Sequence, residues 1–310
     1  MLRLAARYTF GLVLLTACLA YAAACGGHDP NTVTPAGPSP ISALVQSTTS
    51  GPAILVGAGD IARCGVEGAE ATAKLLDRIS GTVFVAGDNA YMSGTIEEYR
   101  TCYAPSWGRH LARTRPVPGN HEYRTAGAAG YFEYFGSNAG PAGLGYYSYT
   151  LGSWLILALN SEVDVSAASA QLQWVRDQLS ASRSRCTAVY WHRPLFSSGP
   201  NGSNADMLPL WRLLYSLDVD IVINAHDHLY ERFAPQDPDG RPDPARGIRQ
   251  FTVGSGGAPT YSIARTVANS EAAASVWGVG QFTLENGSYK WEFVPAEGAS
   301  FSDAGVGQCH

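Results

Sequence analysis

Charge is the scarcest ingredient of this sequence. Asp, Glu, Lys and Arg make up 15% of its 310 residues, where an average globular domain has about a quarter, and Lys74 and Lys290 are its only lysines. So thinly charged a surface suits an extracytoplasmic protein better than a heavily solvated intracellular one. The net charge of −5 gives no broad electrostatic footprint for nucleic acid. There is no internal repeat and no block of like charge. A long apolar run is missing too: the uncharged stretch from Tyr8 to Ala24 falls short of the ~20 residues that a comfortable membrane span needs. Gly and Pro, at 34 and 18, stay below the level of collagen-like or disordered chains. What remains, 45% apolar and 11% aromatic, suffices for a sizeable core in one large or two small domains.

Arg3 and Arg7 stand before the uncharged stretch, whose greasiest part runs from Phe10 to Leu15, and this is the order of a bacterial secretory signal. Leu15-Thr16-Ala17-Cys18 resembles a lipobox, while Ala22, Ala23 and Ala24 precede Cys25 and Gly26 and Gly27 follow it. Residues 1–25 are therefore expected to be a signal peptide of lipoprotein type, with Cys25 favoured over Cys18 as the lipidated residue. Cleavage after Ala24 without lipid is the alternative. Either way the mature protein is exported, as a periplasmic or cell-surface lipoprotein or as a secreted protein, and it meets the membrane only through an N-terminal lipid anchor. Across residues 26–52, Pro30, Pro35, Pro38 and Pro40 forbid a regular helix or ladder, so a disordered linker is expected ahead of one domain at 53–310. Cys64, Cys102, Cys186 and Cys309 lie in that domain. In an oxidising compartment their even number suggests two disulfides, with three connectivities open.

Ala53 to Gly59 and Thr82 to Ala86 are short apolar runs ending at Gly-Asp, with Leu75, Leu76 and Ile79 in a helical pattern between them. Trp154 to Leu159, Thr187 to Trp191 and Asp220 to Asn224 are further buried-strand candidates. Leu172, Val175 and Leu179 recur at helical spacing, as do Leu210, Leu213, Leu214 and Leu217. Thr95 with Glu98 has the form of a capping box. Strands alternating with helices predict an α/β fold with parallel pairing. The last quarter differs: Gln281 to Glu285 and Ser288 to Val294 flank Asn286-Gly287, a strong hairpin signal, so an antiparallel element closes the chain. Two sheets packed in one domain are the simplest reading.

Five polar clusters sit where predicted strands end: Gly59-Asp60, Gly87-Asp88-Asn89-Ala90-Tyr91, Gly119-Asn120-His121-Glu122, His192, and His226-Asp227-His228. Ligands of α/β sheets bind beyond the carboxyl ends of strands, so the clusters are expected to converge. Singly, an aspartate after a strand is ordinarily a helix cap and a lone histidine a core residue bonded to backbone. Together they hold four of the seven histidines, two aspartates and an asparagine, a donor density that suits transition metals and is sufficient for two ions.

In order, these blocks resemble those of calcineurin-like metallophosphoesterases, and Tyr91 in the GDxxY block points to the purple acid phosphatase branch and its bacterial alkaline phosphatase-like relatives. The resemblance covers about residue 53 to the C-terminus. It implies a four-layer α/β/β/α sandwich with two mixed sheets. It also implies two metal ions: Asp60, Asp88, Tyr91 and His228 would hold Fe(III), and Asp88, Asn120, His192 and His226 would hold Zn(II), Mn(II) or Fe(II), with Asp88 bridging. Many relatives carry a histidine where this chain has Ala62, and Tyr91 supplies the missing donor. Ala225 stands where the family usually has glycine, which makes the backbone there a point to check.

The implied activity is hydrolysis of small-molecule phosphate monoesters by metal-activated hydroxide attacking phosphorus. His121 would protonate the leaving group or stabilise charge. Glu122 and Asp227 are expected behind the ligands, Glu122 orienting a histidine, with Arg193 and Tyr230 adjacent to substrate. The pairs Cys64 with Cys102 and Cys186 with Cys309 rest on export, the even count and relatives ending in Cys-His. A phosphodiesterase or nucleotide-cleaving enzyme on the same centre is the enzymatic alternative, and a surface binding protein without turnover is the non-enzymatic one.

Overall fold

Two clusters of buried side chains sort the strands, because residues alternate between the faces of a sheet. Ile156, Ala188, Tyr190, Ile221 and Ile223 point into one cluster, whereas Leu157, Val189, Trp191 and Val222 point into the other. The sheet that carries them therefore buries both faces, one against a second sheet and one against helices.

The computed structural model describes residues 51–263 and 265–310. The expected signal peptide, the lipidation candidates Cys18 and Cys25 and nearly all of the 26–52 linker lie outside the described residues. Among the described residues no helix is long and apolar enough to cross a membrane. The first sheet has six strands in the order Asp303–Gln308, Ser288–Pro295, Gly278–Glu285, Ala53–Ala58, Thr82–Ala86 and Thr114–Val117. The second has seven, in the order Ser270–Ala274, Tyr230–Phe233, Arg249–Val253, Ile221–Asn224, Cys186–Tyr190, Trp154–Ala158 and Tyr147–Leu151. Both are mixed: Ala53–Ala58 runs parallel to Thr82–Ala86 and antiparallel to Gly278–Glu285, while Cys186–Tyr190 is parallel to both neighbours and Tyr147–Leu151 is an antiparallel edge. Phe84 against Tyr190 and Phe251 against Phe282 and Trp291 join the sheets face to face. Helix Gly68–Arg78 brings Leu75 and Leu76 to the first sheet. Helices Ala170–Ala181 and Leu208–Ser216 cover the second with Leu172, Val175, Leu210 and Leu214. The result is the four-layer α/β/β/α sandwich with two mixed sheets.

The capping box is present: Glu98 N donates to Thr95 Oγ1 at 3.2 Å and the Glu98 carboxylate accepts from Thr95 N. Its helix is only Ile96–Glu98, continued by a π-helical turn at Tyr99–Tyr103. The hairpin turns at Asn286-Gly287, where Gly287 has φ 90°. Several strands were not visible in the sequence. Thr114–Val117 contains Pro116, which an edge strand tolerates because one row of its amides has no partner to lose. Asp303–Gln308 contains Gly305 and Gly307, whose missing side chains leave room for the rings of Trp291 and Tyr289 on the paired strand. Those rings hold the glycines in the sheet.

Both disulfides join the expected partners, Cys64 to Cys102 and Cys186 to Cys309, with Cα atoms 5.0 and 5.5 Å apart. The second closes a sequence separation of 123 residues and fastens the end of the chain to the start of strand Cys186–Tyr190. Replacing Cys186 and Cys309 together by Ser should lower the unfolding free energy by about 2–5 kcal/mol, read as a drop in the denaturation midpoint in urea. No change in midpoint would show the bridge to be dispensable.

Candidate metal centre

Five parallel strands, three from the first sheet and two from the second, end at one place. Asp60 follows Ala53–Ala58, Asp88 follows Thr82–Ala86, Asn120 and His121 follow Thr114–Val117, His192 follows Cys186–Tyr190, and His226 and His228 follow Ile221–Asn224. The first two loops are zipped by main-chain bonds, from Asp60 N to Gly87 O at 3.0 Å, Ile61 N to Asp88 O at 2.9 Å and Ala62 N to Asn89 O at 3.0 Å. Asp60, Asp88 and His226 have positive φ, at 57°, 50° and 74°. Non-glycine residues are held there only where surrounding structure over-determines them. Ala225, the departure from the family pattern, is accommodated because residue 59 is glycine: a side chain there would meet the Ala225 methyl at 2.4 Å.

The donors fall into two groups that share Asp88. In one, Tyr91 Oη donates to Asp60 Oδ1 at 2.8 Å and lies 3.0 Å from His228 Nε2 and 3.2 Å from Asp88 Oδ2. In the other, His192 Nε2 lies 3.2 Å from Asn120 Oδ1, 3.3 Å from Asp88 Oδ2 and 3.1 Å from His226 Nδ1. Carbonyl oxygens behind the rings fix which nitrogen faces inward. His192 Nδ1 donates to Ala86 O at 2.9 Å and His228 Nδ1 to Pro259 O at 2.8 Å, so it is Nε2 of each ring that points at the donors. His121 Nδ1 likewise donates to Met92 O at 2.6 Å, leaving Nε2 3.8 Å from Asp88 Oδ2. Ala62 is buried and offers no donor, and Tyr91 occupies the space beside Asp60.

Two carboxylates, a phenol, an amide oxygen and imidazoles have thus been buried together. Burial raises the Asp60 carboxyl well above the usual range, against the pull of His192. Burial also opposes ionisation of Asp88, but the His192 charge and its hydrogen bond outweigh it and hold Asp88 low. For His192 itself, burial is overcome by Asp88 and the group is raised to about 10. Burial holds His228 down to about 4 and raises the Tyr91 phenol, helped by Asp60 and Asp88. Protons on Asp60, Tyr91 and His192 thus balance charge that cations would balance on binding, with release of those protons. The donor set fits two ions: oxygen-rich with one imidazole on the Tyr91 side, imidazole and amide on the His192 side.

Glu122 does not orient a histidine. Its fully buried carboxylate accepts from Asp88 N, Asn89 N and Gly119 N at 2.9, 2.9 and 2.7 Å, from Ala90 N at 3.3 Å and from Tyr99 Oη at 3.2 Å. It clamps the backbone of two donor loops. Burial and the nearby Asp88 raise its carboxyl, to about 7, yet every partner is a donor, so the anion is the form that fits. Asp227 also touches no histidine ring: it accepts from Ser197 Oγ and, at 2.9 Å, from Asn201 N. Ser198 grips Glu231 in the same way, and Asn201 Nδ2 donates to His226 O at 2.8 Å. The 197–201 loop therefore brackets the His-Asp-His segment, which nothing in the sequence announced. Tyr261 was missed as well: its ring stacks on His228 at 4.0 Å and 8°, from a stretch without periodicity. Arg193 Nη1 lies 3.3 Å from His226 Nε2. Tyr230, by contrast, faces the core, packed on Phe293 and Phe301 with its hydroxyl donating to Asp303 at 2.6 Å, because the strand starting there turns its ring between the sheets.

Glu122→Gln would set an NH2 group against backbone donors. The metal-free protein should lose about 1–3 kcal/mol of stability in urea unfolding, the cost of stranding a buried donor. An unchanged midpoint would refute the clamp.

Residues 55–230 match the calcineurin-like phosphoesterase family. Over 187 residues the chain is 26% identical to purple acid phosphatase 15 of Arabidopsis thaliana, covering 48% of this chain and 35% of that protein. Over 118 residues it is 31% identical to purple acid phosphatase 18 of the same plant, covering 36% and 26%. The chain thus spans about a third of the length of the first relative and about a quarter of the second. Two solved structures share its fold. Purple acid phosphatase PPD1 from yellow lupin (Lupinus luteus) seeds superposes with a TM-score of 0.68 at 19% identity, over 83% of this chain and 54% of that one. GAP50, the anchor in the inner membrane complex of Plasmodium, gives 0.66 at 14%, over 84% and 90%. With the family match extending over more than half its length and the five strand-end loops meeting at one centre, the chain belongs to the calcineurin-like phosphoesterase family.

Proposed function

We propose that the protein is an exported phosphatase that hydrolyses phosphate monoesters at a dinuclear metal centre of the purple acid phosphatase kind. The observation that carries this reading is the convergence of Asp60, Asp88, Tyr91, Asn120, His192, His226 and His228, with Asp88 Oδ2 against both groups of donors. Asp60, Asp88, Tyr91 and His228 would hold Fe(III), since two carboxylates and a phenolate are hard anionic ligands, and Asp88, Asn120, His192 and His226 would hold Zn(II), Mn(II) or Fe(II). When bound, such ions supply Lewis-acid polarisation of the phosphoryl group and activation of water as a nucleophile. The two disulfides support export, being bonds of an oxidising compartment.

The chain's own residues supply the rest. His121 presents Nε2 to the centre with its other nitrogen tied to Met92 O, so it can hold a proton where a leaving oxygen needs one. Loops bracketed by Glu122 and by Ser197 to Asn201 keep the donors in place before substrate arrives. Diester and nucleotide cleavage on the same centre is the enzymatic alternative. A surface binding protein without turnover is the other; the full set of seven donors and His121 speaks against it. Assay of metal-loaded protein on nitrophenyl phosphate, bis-nitrophenyl phosphate and nucleotides separates the three, and hydrolysis of none would favour the binding protein.

Iron-loaded, oxidised protein should show a broad visible absorption from phenolate to ferric charge transfer. Tyr91→Phe should abolish the band; a colourless wild type or a coloured variant would remove Tyr91 from the ligand set. Asn120→Ala and His192→Ala should each lose the second metal by elemental analysis, because a sphere missing one ligand no longer holds its ion in fixed geometry. His121→Ala should keep both metals and lose about 10² to 10⁴ in kcat/KM on alkyl phosphates, where the leaving alkoxide must be protonated, and noticeably less on nitrophenyl phosphate. Equal losses on both esters would make His121 a stabiliser of phosphoryl charge instead.

A further inference from the structure

Beside the donors, on the His226 side, lies an open cleft of about 560 Å³. Its walls are the loops that follow strands Trp154–Ala158 and Cys186–Tyr190, the first carrying Glu162, Val163 and Asp164, the second Arg193, Asp206 and Met207. Arg193 is the common wall. Its Nη1 lies 3.3 Å from His226 Nε2, and its Nε donates to Glu162 Oε1 at 2.9 Å. The Glu162 side chain is 10% exposed and also accepts from Ser161 Oγ at 2.9 Å, which in turn accepts from Arg193 N at 3.2 Å. The guanidinium is therefore held in position and its charge already balanced. Asp164 and Asp206, both exposed, face no Arg or Lys in an ion pair among the described residues.

Resting on the phosphatase reading above, we infer that this cleft receives the alcohol portion of the ester, and that it selects a hydroxylated alcohol that is neutral or cationic over one that carries a second anionic group. The phosphoryl group itself would go to the cations that the donors hold, so further carboxylates close to it would only repel substrate unless something of opposite or no charge lies against them. Asp164 and Asp206 are set to one side, in the cleft and not among the donors, where they act on the remainder of the molecule. With the Arg193 charge taken up by Glu162, the cleft has no free cation among the described residues for a carboxylate or a further phosphate. Its volume admits a sugar or an amino alcohol, and Val163 and Met207 offer apolar surface for the carbon frame.

The test uses the metal-loaded full chain and three esters of similar size: phosphoethanolamine, glycerol phosphate and phosphoglycerate. Expected is a kcat/KM for phosphoethanolamine about tenfold above that for phosphoglycerate, the preference shrinking as salt is raised. Asp164→Asn with Asp206→Asn should reduce that ratio severalfold, and Asp206→Asn alone by a smaller factor. Equal or better turnover of phosphoglycerate, or a preference that survives both substitutions, would overturn the assignment of the cleft while leaving the phosphatase reading intact. Turnover of none of the three esters, nor of nitrophenyl phosphate, would overturn both.

Discussion

Asp88 is the residue on which the rest of the centre depends. Its carboxylate is buried between both groups of donors, one oxygen accepting from His121 N at 2.9 Å and the other facing Tyr91, His121 and His192. Its amide is held by Glu122 and its φ is positive. A buried carboxylate without compensating charge is expensive, and a left-handed aspartate adds strain. Such a residue persists only because its neighbours leave it no cheaper arrangement. The sandwich supplies that condition by ending five strands at one level, so that loops from both sheets meet and bond to one another before any ligand is added.

The two supports are built differently. Glu122 acts on the first sheet's loops by offering one anion to several amides that would otherwise point at each other. On the second sheet, Ser197, Ser198 and Asn201 supply donors to Asp227, Glu231 and the carbonyl of His226, so that a positive-φ histidine is fixed from behind. Both place their polar groups where burial would be costly if any partner were lost. The donors are preorganised by hydrogen bonds that themselves touch no substrate.

Much of this was legible in the sequence. Short apolar runs that stop at Gly-Asp or His mark strands whose carboxyl ends carry polar side chains, and the 3.6-residue spacing of Leu210, Leu213 and Leu214 marks a helix on the sheet. The edge strands were not legible. Tyr147–Leu151 is half-buried and polar, Ser270–Ala274 is alanine-rich, and Asp303–Gln308 relies on aromatic rings of its neighbour. Nearness in the chain also misled. Tyr230 stands two residues from His228, yet His228 still lies in the irregular loop while Tyr230 opens a strand that turns its ring between the sheets, whereas Tyr261, 33 positions from His228, lies flat upon it. Glu122 could be singled out as buried and useful, but its partners are main-chain amides, which leave no trace in residue identity.

The bridge between Cys186 and Cys309 divides the molecule into poles. Cys186 begins a five-residue strand and His192 follows its far end, so at about 3.3 Å per residue the bridge and the cluster of donors lie roughly 20 Å apart. One end of the sandwich is covalently pinned, and the opposite end gathers the buried donors. A surface, resin or fused partner attached at His310 would therefore hold the protein by its fastened pole and leave the donors and their cleft facing the solution.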